Sequence, residues 1–103
     1  MSKFASEKKV LRQIAHHLDA VVIVGDQGLS EGVMAEIERA LTDHELIKIK
    51  LASGDRETRA DAAKAIADAC HAQVVQSIGK VIVLFRANPK ANPKLSNIAR
   101  YAS

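Results

Sequence analysis

The apolar run Ala20-Val21-Val22-Ile23-Val24 stops at Gly25-Asp26-Gln27-Gly28, and Leu29-Ser30-Glu31 then opens an amphipathic stretch. Small and β-branched residues in unbroken succession predict a buried strand. Two glycines three apart permit a sharp reversal and leave bare backbone beside any ligand that approaches. Ser30 is a suitable helix N-cap, and Glu31 in the first turn suits the positive end of the helix dipole. The chain must therefore pass from strand to tight corner to helix, with the helix's first N–H groups aimed back at the corner. Such a junction suits phosphate. The same glycines also serve a turn that holds nothing, so both readings stand at this point.

The rest of the pattern alternates. Val10, Leu11, Ile14 and Leu18 recur at helical spacing and predict a first helix over 6–18. Lys8, Arg12 and His16, with Lys9 beside them, then form a basic stripe on another face. After Ser30 a second helix turns Val33, Met34, Ile37, Ala40 and Leu41 inward and leaves Glu36, Glu38, Arg39 and Asp43 to solvent. Leu46 to Leu51 changes to a period of two: Ile47, Ile49 and Leu51 point one way, while Lys48 and Lys50 lie on an open face. Ser53-Gly54-Asp55 is turn chemistry, and an alanine-rich helix follows over 56–70, burying Ala62, Ala63, Ile66, Ala69 and Cys70. Residues 73–78 and 81–86 predict two strands joined at Gly79-Lys80 as a hairpin.

The order α-β-α-β-α-β-β implies an α/β chain of the two-layer α+β kind. Its mixed four-stranded sheet combines parallel crossovers with one antiparallel hairpin. Residues 1–86 make the folded domain. Beyond it Ala87-Asn88-Pro89-Lys90 is repeated at once as Ala91-Asn92-Pro93-Lys94. Each Asn-Pro disfavours the α region, so residues 87–103 are expected to be a mobile basic arm, with Leu95, Ile98 and Tyr101 docking only weakly.

A chain of 103 residues has room for one core. Its single cysteine, Cys70, excludes an internal disulfide, and no apolar run approaches the roughly 18 residues of a membrane span. No signal-peptide-like apolar stretch follows Lys3, so a reducing cytoplasmic setting is expected. The net charge is only +3, but it is unevenly placed. Residues 1–18 carry Lys3, Lys8, Lys9 and Arg12 against Glu7, and residues 79–103 carry Lys80, Arg86, Lys90, Lys94 and Arg100 with no acid. The acidic centre between them completes an asymmetry that points to an anionic partner such as nucleic acid.

With these elements placed, the sequence resembles the CRM domain (chloroplast RNA splicing and ribosome maturation), and within it the single-domain bacterial YhbY-like proteins. The matching text is Ala15-His16-His17-Leu18, Val24-Gly25, Gly28-Leu29-Ser30-Glu31-Gly32-Val33, Glu36-Ile37, Ala40-Leu41, His44-Glu45-Leu46-Ile47-Lys48, Ile78-Gly79 and Leu84-Phe85-Arg86. The blocks fall in order across residues 6–86. The resemblance implies a fold similar to the C-terminal domain of translation initiation factor three, with strand order 1-2-4-3. It also implies RNA binding, with the Gly-x-x-Gly loop acting much as the comparable KH loop clamps backbone nucleotides. By the same token it implies association with precursors of the large ribosomal subunit and no catalysis; a monomer is expected.

The chain departs from that pattern in three places. Asp26 in the loop faces phosphate unfavourably unless it turns outward or caps the turn, whereas Gln27 can donate through its amide. Asp19-Ala20 stands where a proline-containing approach to the first strand is common. His71 replaces a helix-ending glycine, and histidine tolerates the left-handed conformation better than β-branched residues do.

Neutral N–H groups alone would hold RNA weakly, so cations must supply most of the affinity. The expected RNA-binding residues are Gly25, Asp26, Gln27 and Gly28 of the loop, Lys8, Lys9 and Arg12 of the first helix, Lys48 and Lys50 of the open strand face, and Arg86, Lys90 and Lys94 beyond the last strand. With only Phe4, Phe85 and Tyr101 as aromatics, base stacking of the RRM type is not expected to dominate, and Phe85 is read as core. No zinc spacing links His16, His17, His44, His71 and Cys70, and no cofactor, metal or small-molecule substrate is expected. Cys70 reads as a small buried hydrophobe, His44 as a helix-end residue, and Glu45 as the partner of a base such as Arg39. Two other functions remain open: a small anion- or nucleotide-binding module, which would lack the P-loop lysine, and a ribosome-associated protein adaptor that uses the acidic second helix.

Overall fold

A computed structural model describes residues 8–25 and 28–101, Tyr101 by its backbone alone. The elements run α1 (Lys8–Ala15), β1 (Ala20–Val24), α2 (Glu31–His44), β2 (Leu46–Leu51), α3 (Arg56–Cys70), β3 (Gln73–Ile78), β4 (Val81–Phe85) and α4 (Asn97–Tyr101). The four strands lie in the order β1-β2-β4-β3. β1 is parallel to β2, while β4 is antiparallel to both β2 and β3. This is the mixed sheet expected from the chain order, with the implied strand order.

Local chemistry accounts for most boundaries. The Ser30 hydroxyl accepts from the Val33 N–H at 3.2 Å to start α2, and the Asp55 carboxylate accepts from the Thr58 N–H at 2.8 Å to start α3. That bond holds the Asp55 carboxyl below its ordinary value. α3 ends at His71, which adopts the left-handed conformation (φ 54°, ψ 40°) that its replacement of glycine requires. α1 stops at Ala15, ahead of the expected Leu18, in two tighter i+3 bonds from His17 and Leu18.

Two apolar layers flank the sheet. Val22, Val24, Ile47, Ile49, Leu51, Ile82 and Leu84 meet Ile37 and Leu41 of α2 and Ala63, Ile66, Ala67 and Cys70 of α3. On the opposite face Leu46, Val75, Val83 and Phe85 meet Leu11, Ile14 and Ala15 of α1, with Ile98 of α4 against them. α1 and α4 cover only part of that face, so the remainder has helices on one side alone.

Three expectations need correction. β1 is buried on one face only: it is the sheet's edge, and Val21 and Ile23 are 48% and 62% exposed. On α3 the buried stripe takes Ala67 in place of Ala69, because Ala63, Ala67 and Cys70 recur at helical spacing of four and three. The tail, expected as a free arm, folds back on the body. Its duplicated Asn-Pro-Lys segment makes two successive turns, in which the Asn88 and Asn92 side chains accept from the Lys90 and Lys94 amides at 3.1 and 2.9 Å. The chain then reaches Ser96 and Asn97, both buried, and α4 packs on α1 and β2.

Candidate nucleic-acid interface

β1 delivers Gly25 to the end of the sheet where β2 finishes, since Val24 pairs with Leu51. Gly25 is exposed, and the Gly28 N–H donates to the Gly25 carbonyl at 3.0 Å. Gly28 has φ +71°, so only glycine holds the turn without strain. Gly25 differs: a Cβ there would meet no atom within 4 Å, and its φ does not demand glycine. The amides of Gly28 and Ser30 are used within the corner itself. At this end of α2, Glu31 and Gly32 are the residues whose N–H groups have no acceptor within the helix. The expected contacts Asp26 and Gln27 lie outside the described residues.

Strand register then places the cations. One rung crosses the whole sheet as Ile23, Lys50, Val81 and Ile78, and the next as Ala20, Lys48, Val83 and Gln76. Paired residues share a face, so Lys48 and Lys50 lie on the side left partly open by α1. Ile23 and Ile78, both 62% exposed, end the first rung. Between these rungs and α1 runs a groove of about 480 Å³, with Lys9, Arg12 and Lys48 on its walls and Val81 and Val83 among its floor residues. Among the described residues no acidic one lines it. Lys8, on the first turn of α1, is exposed beside it in sequence.

The other expected cations lie elsewhere. β4 runs away from the loop, so Arg86 follows its far end, about 17 Å along the strands. There Arg86 is a structural clamp. Its guanidinium bonds both Glu38 carboxylate oxygens at 2.8 Å, the Cys70 carbonyl at 3.0 Å and the Thr42 hydroxyl at 2.9 Å, joining the C-terminal halves of α2 and α3. Lys90 and Lys94 sit in the tail turns, whose neighbours Asn88 and Leu95 bond Glu45 and His44 at that same far end. The expected set thus divides: Lys9, Arg12 and Lys48 line one groove and Lys50 shares its sheet face one rung nearer the loop, whereas Arg86, Lys90 and Lys94 lie at the far end.

Arg86 also holds the Glu38 carboxyl below its ordinary value of 4.5 by its hydrogen bond. A lowered carboxyl favours the folded state above its unfolded pKa, and that contribution disappears as pH falls through the folded value. Arg86→Met is therefore expected to cost about 1–2 kcal/mol at neutral pH. It should also flatten the acid limb of stability, a modest part of the loss because Glu38 is 54% exposed. Urea titrations at several pH values between 3 and 7 read both effects.

Residues that the sequence did not single out complete the loop end. Arg59 shares a small hollow with Gly25, Gly28 and Ser53, and donates to the Gly54 carbonyl at 2.6 Å. Lys80 stands at the hairpin tip, its carbonyl accepting from the Leu51 N–H at 2.7 Å. Gln13 and Gln76 line the groove. Arg59 was legible only as the first turn of a helix that a parallel crossover returns to the loop. Burial of Cys70, 3% exposed, pushes its thiol up and fits the expected inert role. Among the described residues no group of three or more His, Cys, Asp and Glu is placed to hold a metal ion.

Residues 5–86 match the family model of the CRS1/YhbY (CRM) domain. A Pseudomonas aeruginosa protein named as a probable RNA-binding protein is 48% identical, over 99% of this chain and 98% of its own length. A Haemophilus influenzae RNA-binding protein is 48% identical over 86% of this chain and 90% of its own. A Staphylococcus aureus protein described as a candidate RNA binder, solved in solution, superposes with a TM-score of 0.74 at 27% identity, covering 85% of this chain and 92% of that one. The family model covers most of the chain and the Pseudomonas relative nearly all of it, so the chain belongs to the CRM domain family.

Proposed function

We propose that this protein is a non-catalytic RNA-binding protein that holds ribosomal RNA in precursors of the large ribosomal subunit. Its grip combines the Gly25–Gly28 corner with Lys9, Arg12, Lys48 and Lys50. The observation that carries this reading is a cationic groove, with no acid among the described residues that line it, on the sheet face α1 leaves partly open, a face that Lys50 and the exposed Ile23 continue toward the end where the Gly25–Gly28 corner begins. Gly25 adds a second support. The fold leaves open space where its side chain would be, so the glycine is better explained by a backbone that approaches from outside than by packing. The names of the related proteins agree on RNA as the class of partner. Phosphate contacts of this kind position an RNA without reading its sequence.

Gly25→Asp tests the loop. Because the new side chain meets open space, the melting temperature should stay within a degree or two of wild type. A carboxylate at the phosphate position should nevertheless abolish co-sedimentation with large-subunit precursor particles. Unchanged co-sedimentation would remove the loop as the contact.

A further inference from the structure

β3 does not alternate evenly. Its register with β4 slips between Val74 and Gln76, with Val74 opposite Leu84 and Gln76 opposite Val83. This bulge leaves Val75 packed beneath α1 and turns Gln76 onto the same face. Without it, strict alternation would send Gln76 and Ile78 to the side covered by α3. Bulges commonly re-aim a side chain in this way beside a site. The outcome is a groove with an aliphatic floor of Val81, Val83 and Ile78 and an amide on either side, Gln76 from the sheet and Gln13 from α1.

We propose that this groove receives one unpaired nucleotide of the bound RNA. Its base would lie on the aliphatic floor and its edge would meet the Gln13 and Gln76 amides. Lys9, Arg12 and Lys48 would hold the flanking phosphates. The inference rests on the RNA reading above and deepens it from backbone binding to recognition of an extruded base. Three properties of the groove select this occupant. Its described residues carry cations and no acid, which matches phosphate, side-chain amides offer both donors and acceptors to a base edge, and the volume falls in the range of small-ligand sites. A paired base would keep its edge in the duplex and could not reach the floor, so the groove favours a bulge or loop.

The test uses the full chain and synthetic RNA hairpins carrying a single bulged A, C, G or U. Each is compared with the same hairpin holding an abasic residue at the bulge. At least one hairpin should lose about five- to tenfold in affinity when its base is removed, and Gln76→Leu or Gln13→Leu should erase that difference. Gly25→Asp should weaken every hairpin while preserving the ratio between base and abasic forms, because the loop touches backbone only. Binding of all four hairpins without any abasic penalty overturns the proposal and leaves the RNA reading intact, with the groove's cations on backbone phosphates alone. Failure of wild type to bind any hairpin or precursor particle overturns both. The abasic comparison is made on the wild-type protein, so it stands even if a glutamine variant folds poorly.

Discussion

Lys9→Ala, Arg12→Ala and Lys48→Ala together should weaken RNA binding about fiftyfold at 0.15 M salt and leave the fold intact. The estimate follows from counterion release. About four contacts to single-stranded phosphates give a log–log salt slope of roughly −3, and removing three of them should bring it near −1. At 0.15 M salt the lost contacts correspond to somewhat under two decades of affinity, about 2.3 kcal/mol. Lys9 and Arg12 are exposed and Lys48 is half-buried at the groove wall, so truncation should cost little stability. The informative contrast is Lys90→Ala with Lys94→Ala. These positions lie in tail turns tied to the far end of the sheet, and their loss should leave the slope unchanged. Fluorescence anisotropy across a salt series distinguishes the two sets. A slope that falls only in the tail variant would move the RNA footprint to the opposite end of the molecule.

Much of this interface could be read from local chemistry, and the limits are equally local. Ser30 and Asp55 cap their helices because a short polar side chain before an amphipathic run has few other uses. The strict alternation of Leu46 to Leu51 placed Lys48 and Lys50 on one face, and the register agrees. Gly79-Lys80 marked the hairpin, and Gly79 has φ +55° as such a turn requires. What escaped were features that a one-dimensional period cannot carry. A one-residue bulge at Val75 reverses the face of every later residue in β3, and nothing in Gln73 to Ile78 announces it. The apolar run of β1 suggested burial on both faces, yet edge position is decided by strand order. Arg86 counted as a basic residue near other basic residues. Its acceptors come from α2 and α3, distant in sequence, and no composition argument could separate that clamp from a free cation.

The largest stability effect is expected at Glu45, whose role also shows why the tail is more than an arm. Glu45 does not pair with Arg39. It caps α2 from a buried position, 9% exposed, with its backbone at φ 62° and ψ −49°. One carboxylate oxygen accepts from the Asn88 N–H at 2.6 Å and the other from the Ser96 hydroxyl, while the Asn97 amide donates to the Leu46 carbonyl at 2.7 Å. A carboxylate at a helix C-terminus is electrostatically unfavourable, so these donors are what make the site tolerable. Glu45→Ala orphans a half-buried amide and removes the acceptor of a buried hydroxyl together, and should cost about 3 kcal/mol, roughly 15 °C in melting temperature for a domain of this size. Glu45→Gln retains an acceptor for Asn88 and should cost only about 1 kcal/mol. Glu45→Gly loses the same bonds as the alanine variant but relieves the positive φ, so it should be the more stable of the two by about 1 kcal/mol. Calorimetry of the three variants decides between causes. The order Gln, Gly, Ala places the tail's donors first and backbone strain second; an alanine variant that melts with the wild type would mean that residues 87–101 contribute nothing to holding the fold together.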